Sequence, residues 1–122
     1  MIIAIAVTAY LIAGIVYFGW KKAGYSHFKH TISELGETGT SLEKQVAFGL
    51  FLPIGIGLLI IAFTHWDHDI VRGLSASIAV GYLVAAFFSC DKGSPASGSW
   101  KQQVHNLGGF IEYAGAIFFL VR

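Results

Sequence analysis

The residues able to do chemistry are concentrated in two polar stretches, 23–43 and 89–106, that lie between apolar segments. Nucleophilic, basic and acidic side chains occur in both stretches: His27, His30, Ser33, Glu34, Cys90, Asp91 and His105. A hydrolase or acyl-transfer site needs a serine or cysteine nucleophile, a histidine base and a group that orients the histidine. Ser33 or Cys90 would be the nucleophile and His105 the base. Asp91 or Glu34 would then orient the histidine.

Other chemistries have weaker support in the same residues. His27 and His30 have the spacing of two metal ligands on one helical turn, which Asp91, Cys90 or His105 could complete. Such spacing is common by chance, so no metal site is expected. A haem would need facing histidines on two spanning helices, and only His105 is clearly on one. The sequence identifies no cofactor, and the polar groups could simply tie two loops together by buried hydrogen bonds.

The elements that position these residues are predicted to be membrane-spanning helices. The chain has 122 residues, of which 55% are hydrophobic and only 12% charged, whereas soluble domains are about 25% charged. A helix needs roughly 20 apolar residues to cross a bilayer. Four segments fit, at about 1–20, 44–65, 70–89 and 101–121. We therefore expect an all-α fold, a four-helix transmembrane bundle that forms one domain over residues 1–122, as a multi-pass protein of the cell membrane.

Four spans would place both polar stretches on the same side of the membrane. That side carries six lysines, whereas the side with the termini and the 65–69 turn carries only Arg72 and Arg122. The positive-inside rule predicts that the long loops are cytoplasmic. The formal net charge is +1 and the lysines form no basic stripe, so nucleic acid is not an expected partner. We expect the two loops to fold together over one end of the bundle.

Capping patterns predict where helices begin. A Ser or Thr followed three residues later by Glu or Gln occurs at Thr31–Glu34, Thr40–Glu43 and Ser99–Gln102. These patterns predict the starts of a short interfacial helix in the first loop, of the second span and of the fourth span. Gly36 and Gly39 would end the short helix and turn the chain towards the second span.

Within the spans, small and polar residues predict how the helices pack. Gly73, Ser77, Gly81 and Ala85 recur every four residues, which predicts a face buried against another helix. Pro53 predicts a distortion that leaves the Gly49 carbonyl without its helical partner. Glu112 lies two turns from His105 on the same helical face. Because an acid facing lipid is costly, Glu112 is expected to point into the bundle.

Three long stretches together resemble a known family. They are AGYSHFKHTISELGETGT, FGLFLPIGIGLLIIAF and FFSCDKGSPASGSWKQQVHNLGGFIEYAG. With their Gly-Tyr-Ser, Ile-Ser-Glu-Leu-Gly and His-Asn motifs and the turn centred on Asp91, they resemble the bacterial and archaeal integral membrane family called domain of unknown function 998. The resemblance implies a membrane protein whose activity is unassigned. Members of that family usually have about six spans, so four spans imply a short member or a bundle completed by another chain.

The sequence therefore supports one main hypothesis and one alternative. The main hypothesis is a polar, loop-formed pocket at one membrane face that binds a lipid head group or small ligand, using His30, Ser33, Glu34, Asp91, His105 and Glu112. Any catalysis would fall to Ser33, Glu34, Asp91 and His105, with His105 giving or taking a proton. The alternative is a non-catalytic accessory subunit that packs against a larger membrane protein complex or forms a homo-oligomer.

Overall fold

The computed structural model describes residues 1–122, and its regular elements are all helices. Four long helices follow one another along the chain: α1 (Ile2–Lys21), α2 (Glu43–Thr64), α3 (Asp69–Phe87) and α4 (Trp100–Leu120). Each bound lies within two residues of the sequence prediction. Consecutive helices pack side by side, α1 on α2, α2 on α3 and α3 on α4, and α3 contacts both of its neighbours more extensively than α1 contacts α2. The predicted all-α helical bundle is confirmed.

Three of the four helices are long and apolar enough to cross a membrane. These are α1, α2 and α3. Helix α4 has sufficient length, at 21 residues, but its first two turns are rich in polar side chains and it carries Glu112 further along. These residues lower its hydropathy, so a membrane crossing by α4 stays a prediction.

A local distortion of α2 lies next to Pro53. The five residues Ala47–Phe51 form a π-helical turn inside α2. Proline has no N–H and cannot donate to the Gly49 carbonyl four residues earlier. The Tyr10 hydroxyl of α1 donates to that carbonyl instead. The prediction for Gly49 is thus confirmed, and the freed carbonyl becomes a link between α1 and α2.

The interface between α3 and α4 depends on small residues, as the four-residue spacing predicts. Three positions of α3 lie directly against α4, with Gly73 facing Phe119, Ser77 facing Gly115 and Gly81 facing Glu112. A Cβ atom added at Gly81 would collide with the Glu112 side chain. At each of the latter two contacts a glycine on one helix leaves room for a side chain of the other, which permits the close approach of α3 and α4.

The first loop contains the short helix that the sequence predicts, in a tighter form. Ser33–Gly36 is a single 3₁₀ turn. The Thr31 N–H donates to Glu34 Oε2 over 2.5 Å, and the Glu34 N–H donates to Thr31 Oγ1 over 3.4 Å. This reciprocal pair confirms the predicted capping box. Leu35 is fully buried in the core beside Val46 and Leu50, which anchors the turn on α2.

Of the other two capping predictions, the cap at Thr40 is wrong, whereas the cap at Ser99 is confirmed without its reciprocal half. Helix α2 has no side-chain cap at its start, because the Thr40 hydroxyl donates to the Glu37 carbonyl over 2.8 Å instead. At the start of α4, Ser99 does accept a hydrogen bond from the Gln102 N–H over 3.2 Å. The Gln102 side chain does not return to Ser99, since it is buried and accepts a hydrogen bond from the Asp91 N–H over 2.6 Å.

Candidate functional site

The two long loops lie against each other at one end of the bundle. The Thr38 N–H donates to the Cys90 carbonyl over 2.8 Å, and the Cys90 thiol donates to the Ser33 carbonyl over 3.3 Å. A third contact joins the Gly93 N–H to Glu37 Oε2 over 3.2 Å. The loops therefore satisfy each other's polar atoms, as expected for two loops on the same side of the membrane.

A lysine at the end of α1 joins this assembly. Lys22 Nζ lies 3.0 Å from Glu37 Oε1 and also donates to the Glu34 carbonyl. The side chains of Lys22 and Glu37 are only 12% and 15% exposed, so this ion pair is largely shielded from water. Glu37 therefore bridges α1 and the second loop. Sequence reasoning missed this pair, because nothing in the spacing of the two residues predicts their contact.

Ser33 and His105 form a hydrogen-bonded pair at the centre of the loop assembly. Ser33 Oγ lies 3.1 Å from His105 Nε2, and His105 Nδ1 lies 2.8 Å from the Phe88 carbonyl oxygen. A carbonyl oxygen can only accept, so Nδ1 carries a proton and donates to Phe88. Nε2 of the neutral imidazole is then an acceptor, and the Ser33 hydroxyl donates to it. This tautomer is the one that a general base for Ser33 requires.

The Ser33–His105 pair faces a cavity of about 340 Å³, which we call the dyad cavity. It lies between the first loop and helices α2, α3 and α4. Polar and aromatic residues line it, among them His30, Ser33, Phe51, His105, Glu112 and Tyr113. The cavity thus brings together four of the six residues that the sequence predicted for the ligand pocket: His30, Ser33, His105 and Glu112.

Glu112 points into the bundle, as expected. Its side chain lies against Gly81 of α3 and lines the dyad cavity. Gly81 supplies the room for it, because any side chain at that position would overlap the carboxyl group. No lysine or arginine pairs with it. Glu112 therefore adds an acidic group to the cavity, two turns of α4 away from His105.

Asp91 and Glu34 do not orient His105, and the prediction that one of them does so is wrong. Both Asp91 carboxylate oxygens are engaged by Ser99, whose N–H and hydroxyl each donate over 2.8 Å. These hydrogen bonds hold the pKa of Asp91 below its usual range. Glu34 completes the capping box with Thr31. The orienting acceptor for His105 is the backbone carbonyl of Phe88, which no pattern of side chains in a sequence can reveal.

A second cavity, of about 260 Å³, lies on the other side of His30. Its lining is strongly charged and includes Lys22, Tyr25, His30, Glu34, Glu37 and Lys92. His30 also lines the dyad cavity, so it stands between the two. Its Nδ1 accepts a hydrogen bond from the Ser26 N–H over 3.0 Å, and its ring stacks on Tyr25. Burial, and then the charge of Glu34, raise the pKa of Tyr25.

Cys90 is not placed to act as the nucleophile. It is fully buried, and its thiol donates to the Ser33 carbonyl. Burial raises the pKa of Cys90 to about 11. The thiol therefore stays protonated near neutral pH, and a protonated thiol is a poor nucleophile. Of the two nucleophiles that the sequence offers, Ser33 is the one that contacts His105.

The two histidines of the first loop lie in different surroundings. No three His, Cys, Asp or Glu side chains in the chain converge so that they could hold a metal ion. His27 packs edge-on against Tyr25 and lies beside Gly19 of α1. His30 also contacts Tyr25 and lines the two cavities.

The fold and the apolar helices define an α-helical membrane protein. Over residues 3–122 the chain matches the family described as Protein of unknown function (DUF998), and it belongs to that family. This confirms the resemblance seen in the sequence. No curated protein and no solved structure matches the chain.

Proposed function

We propose that this membrane protein binds an amphipathic ligand, such as a lipid, with the ligand's polar head group in the dyad cavity. The observation that carries the proposal is the Ser33–His105 pair, with 3.1 Å between Oγ and Nε2, at the wall of a cavity of about 340 Å³. Small-molecule sites in proteins have volumes from roughly 300 Å³ upwards. The cavity is therefore large enough for a head group or a small ligand.

The lining supports a ligand with both polar and apolar parts. Ser33, His105 and Glu112 offer hydrogen-bonding groups, while Phe51 and Ala85 offer apolar surface. His30 and Thr31 line the loop side of the cavity. If α4 crosses the membrane beside the three apolar helices, the cavity lies at the boundary between lipid and water, where a head group meets its acyl chains. We place that boundary in the cell membrane, with the loops on the cytoplasmic side.

The residues named for ligand binding have different roles in this proposal. Ser33 and His105 contact the ligand's head group, and Glu112 interacts with a polar group deeper in the cavity. His30 separates this site from the charged second cavity. Glu34 and Asp91 act on the shape of the loops and not on the ligand, because their carboxylates are engaged by Thr31 and Ser99.

A cavity-filling substitution tests the proposal. Gly109 lines the dyad cavity, and apart from its chain neighbours and the backbone of its own helix no atom lies within 4 Å of the place where its Cβ would stand. Gly109→Leu should therefore fill the cavity without displacing backbone. Ala114→Leu is the matched control, because Ala114 lies on the same helix and is exposed. Both proteins would be purified in mild detergent, their thermal unfolding compared, and their bound lipid quantified by native mass spectrometry.

The expected result is that Gly109→Leu loses the bound lipid, whereas Ala114→Leu and the unmodified chain retain it. Equal lipid in all three folded proteins, or none in the unmodified chain, would contradict the proposal.

A second role, as an accessory subunit, is favoured by the exposure of α1. In the most apolar stretch of α1 only 11% of the residues are buried within the chain, against 44% in the corresponding stretch of α2. A partner membrane protein or a second copy of the chain could cover that surface. Recovery of a stoichiometric protein partner, with an empty dyad cavity, would favour this role over ligand binding.

A further inference from the structure

We propose that Ser33 and His105 act as a nucleophile and its general base, and that they cleave a carboxylic ester of an amphipathic molecule held in the dyad cavity. This inference rests on the proposed function, because it needs the same cavity to hold the substrate. It adds a reaction to the binding role.

The hydrogen bonds around His105 give it the arrangement of a catalytic base. The Phe88 carbonyl accepts from Nδ1 over 2.8 Å, which leaves Nε2 free to accept the proton of Ser33 Oγ over 3.1 Å. In serine hydrolases the same tautomer is held by a carboxylate. Here a neutral carbonyl replaces it. The carbonyl fixes the orientation of the ring but stabilises the imidazolium less, so we expect slow turnover.

Both partners are held in place by groups that do not belong to the cavity. Ser33 lies in the 3₁₀ turn that buried Leu35 anchors, and its own carbonyl accepts the Cys90 thiol. His105 is buried on α4, one turn before Gly108, which packs against Val84 of α3. A nucleophile and base held by the surrounding structure need little rearrangement before reaction.

The reaction has two balanced steps with water as the second reactant. Ser33 Oγ attacks the ester carbonyl carbon and His105 Nε2 takes the serine proton. The carbon–oxygen bond to the alcohol then breaks, and His105 returns the proton to the leaving alcohol. A water molecule, deprotonated by His105, next attacks the acyl-Ser33 carbonyl, which releases a carboxylic acid and restores the Ser33 hydroxyl. Thr31, Tyr82 and Tyr113 line the cavity, and their hydroxyl groups are candidate donors to the carbonyl oxygen during attack.

A serine-directed probe distinguishes this role from a purely structural hydrogen bond. The purified chain would be treated in mild detergent with an alkyl fluorophosphonate, which forms an oxygen–phosphorus bond to an activated serine and releases fluoride. The labelled residue would be identified by peptide mass spectrometry. Ser33→Ala and His105→Gln are the test variants. Ser41→Ala is the control, because Ser41 is an exposed serine of the same loop and does not line the cavity.

The expected result is labelling of Ser33 in the unmodified chain and in Ser41→Ala. Labelling of that site should be absent in Ser33→Ala and slowed by roughly a hundredfold or more in His105→Gln, the scale of a lost general base. Thermal unfolding of each variant shows whether the protein used is folded, and slowed labelling of folded His105→Gln would support the proposal. If that variant does not fold, Gly109→Leu replaces it, since a filled cavity should also prevent labelling.

Two outcomes would overturn the proposal. One is a folded, unmodified chain in which Ser33 is not labelled. The other is labelling of Ser33 at an undiminished rate in His105→Gln or, where that variant does not fold, in Gly109→Leu. Lipid bound to Ser33→Ala separates the two proposals. If this variant retains lipid and Ser33 of the unmodified chain is not labelled, catalysis is refuted and the binding site is not. If no form of the protein binds lipid, the binding site itself is refuted.

Discussion

The two ends of the helical bundle are held together in different ways. At the end covered by the loops, hydrogen bonds join residues that are 51 to 72 positions apart in the chain, such as Thr38 with Ser89 and Ser33 with His105. At the end with the turn between α2 and α3, side chains bond only to residues one to six positions away. The hydrogen bonds of the loop end therefore join distant parts of the chain, whereas those of the other end stabilise only the chain reversal between α2 and α3.

The charged pairs follow the same division. Lys22 and Glu37 join α1 to the loops and are almost covered, with 12% and 15% exposure. Arg72 and Asp69 are neighbours on one helix, with 33% and 66% exposure. Exposed pairs on a helix surface contribute little to stability, because water and salt screen them. Only the covered pair can contribute substantially to the tertiary structure.

The largest difference between the two ends is expected in thiol reactivity. Burial raises the pKa of Cys90 to about 11 from an ordinary value of 9.0, so its thiolate fraction at neutral pH is about a hundredfold lower than normal. Asp67→Cys would place an exposed thiol in the turn at the other end. In that variant, we expect iodoacetamide to modify Cys90 at least a hundredfold more slowly than the introduced cysteine, measured by peptide mass spectrometry.

The same experiment under denaturing conditions is its control, because unfolding should make the two thiols react at similar rates. Comparable rates in the folded protein would mean that the loops open readily and that Cys90 is not shielded as the structure has it.

The next largest effect concerns stability. His105→Ala removes two hydrogen bonds and leaves the Phe88 carbonyl and the Ser33 hydroxyl without a partner. We expect a loss of about 2 kcal/mol in the free energy of unfolding. His65→Ala, at the other end, removes hydrogen bonds only to Thr64 and to the Ile61 carbonyl. That change should cost about 0.5 kcal/mol or less. Unfolding of both variants in mixed detergent measures the difference.

Equal losses in the two variants would show that the ends are held alike. A loss for His65→Ala above that for His105→Ala would reverse the comparison.

The helices and several of their contacts could be predicted from the sequence. The long apolar segments give the helix bounds, since membrane length requires them. The spacing of Gly73, Ser77 and Gly81 predicts the face that packs on α4, because small residues permit close approach wherever they recur on one side of a helix. Pro53 predicts the freed carbonyl at Gly49, which follows from the missing N–H alone. Each of these predictions depends only on local geometry.

The candidate site could be predicted only in part. Residue type and the common side of the loops were enough to name His105 as the base, with Ser33 or Cys90 as its nucleophile. They could not show that Asp91 bonds to Ser99, or that the Phe88 carbonyl takes the orienting place beside His105. Those contacts depend on the path of the backbone between α3 and α4. Backbone carbonyls are present at every residue, so the sequence carries no signal that marks this one.

The smallest expected effect is the pH dependence that Asp91 confers on the loop end. Hydrogen bonds from Ser99 lower the pKa of Asp91 in the folded chain. In acid the unfolded state therefore binds more protons than the folded state, and the free energy of unfolding decreases as the pH is lowered. The contribution is complete above the ordinary aspartate pKa of about 3.9. It is lost as pH falls through the lowered value.

Asp91→Asn lacks this contribution at every pH, whereas Asp67→Asn, in the exposed turn, retains it. The stability margin of the unmodified chain over Asp91→Asn should therefore be constant from pH 7 to 5 and shrink towards pH 3. A margin that stays constant down to pH 3 would mean that Asp91 does not hold Ser99 as a carboxylate, and that the second loop is shaped without it.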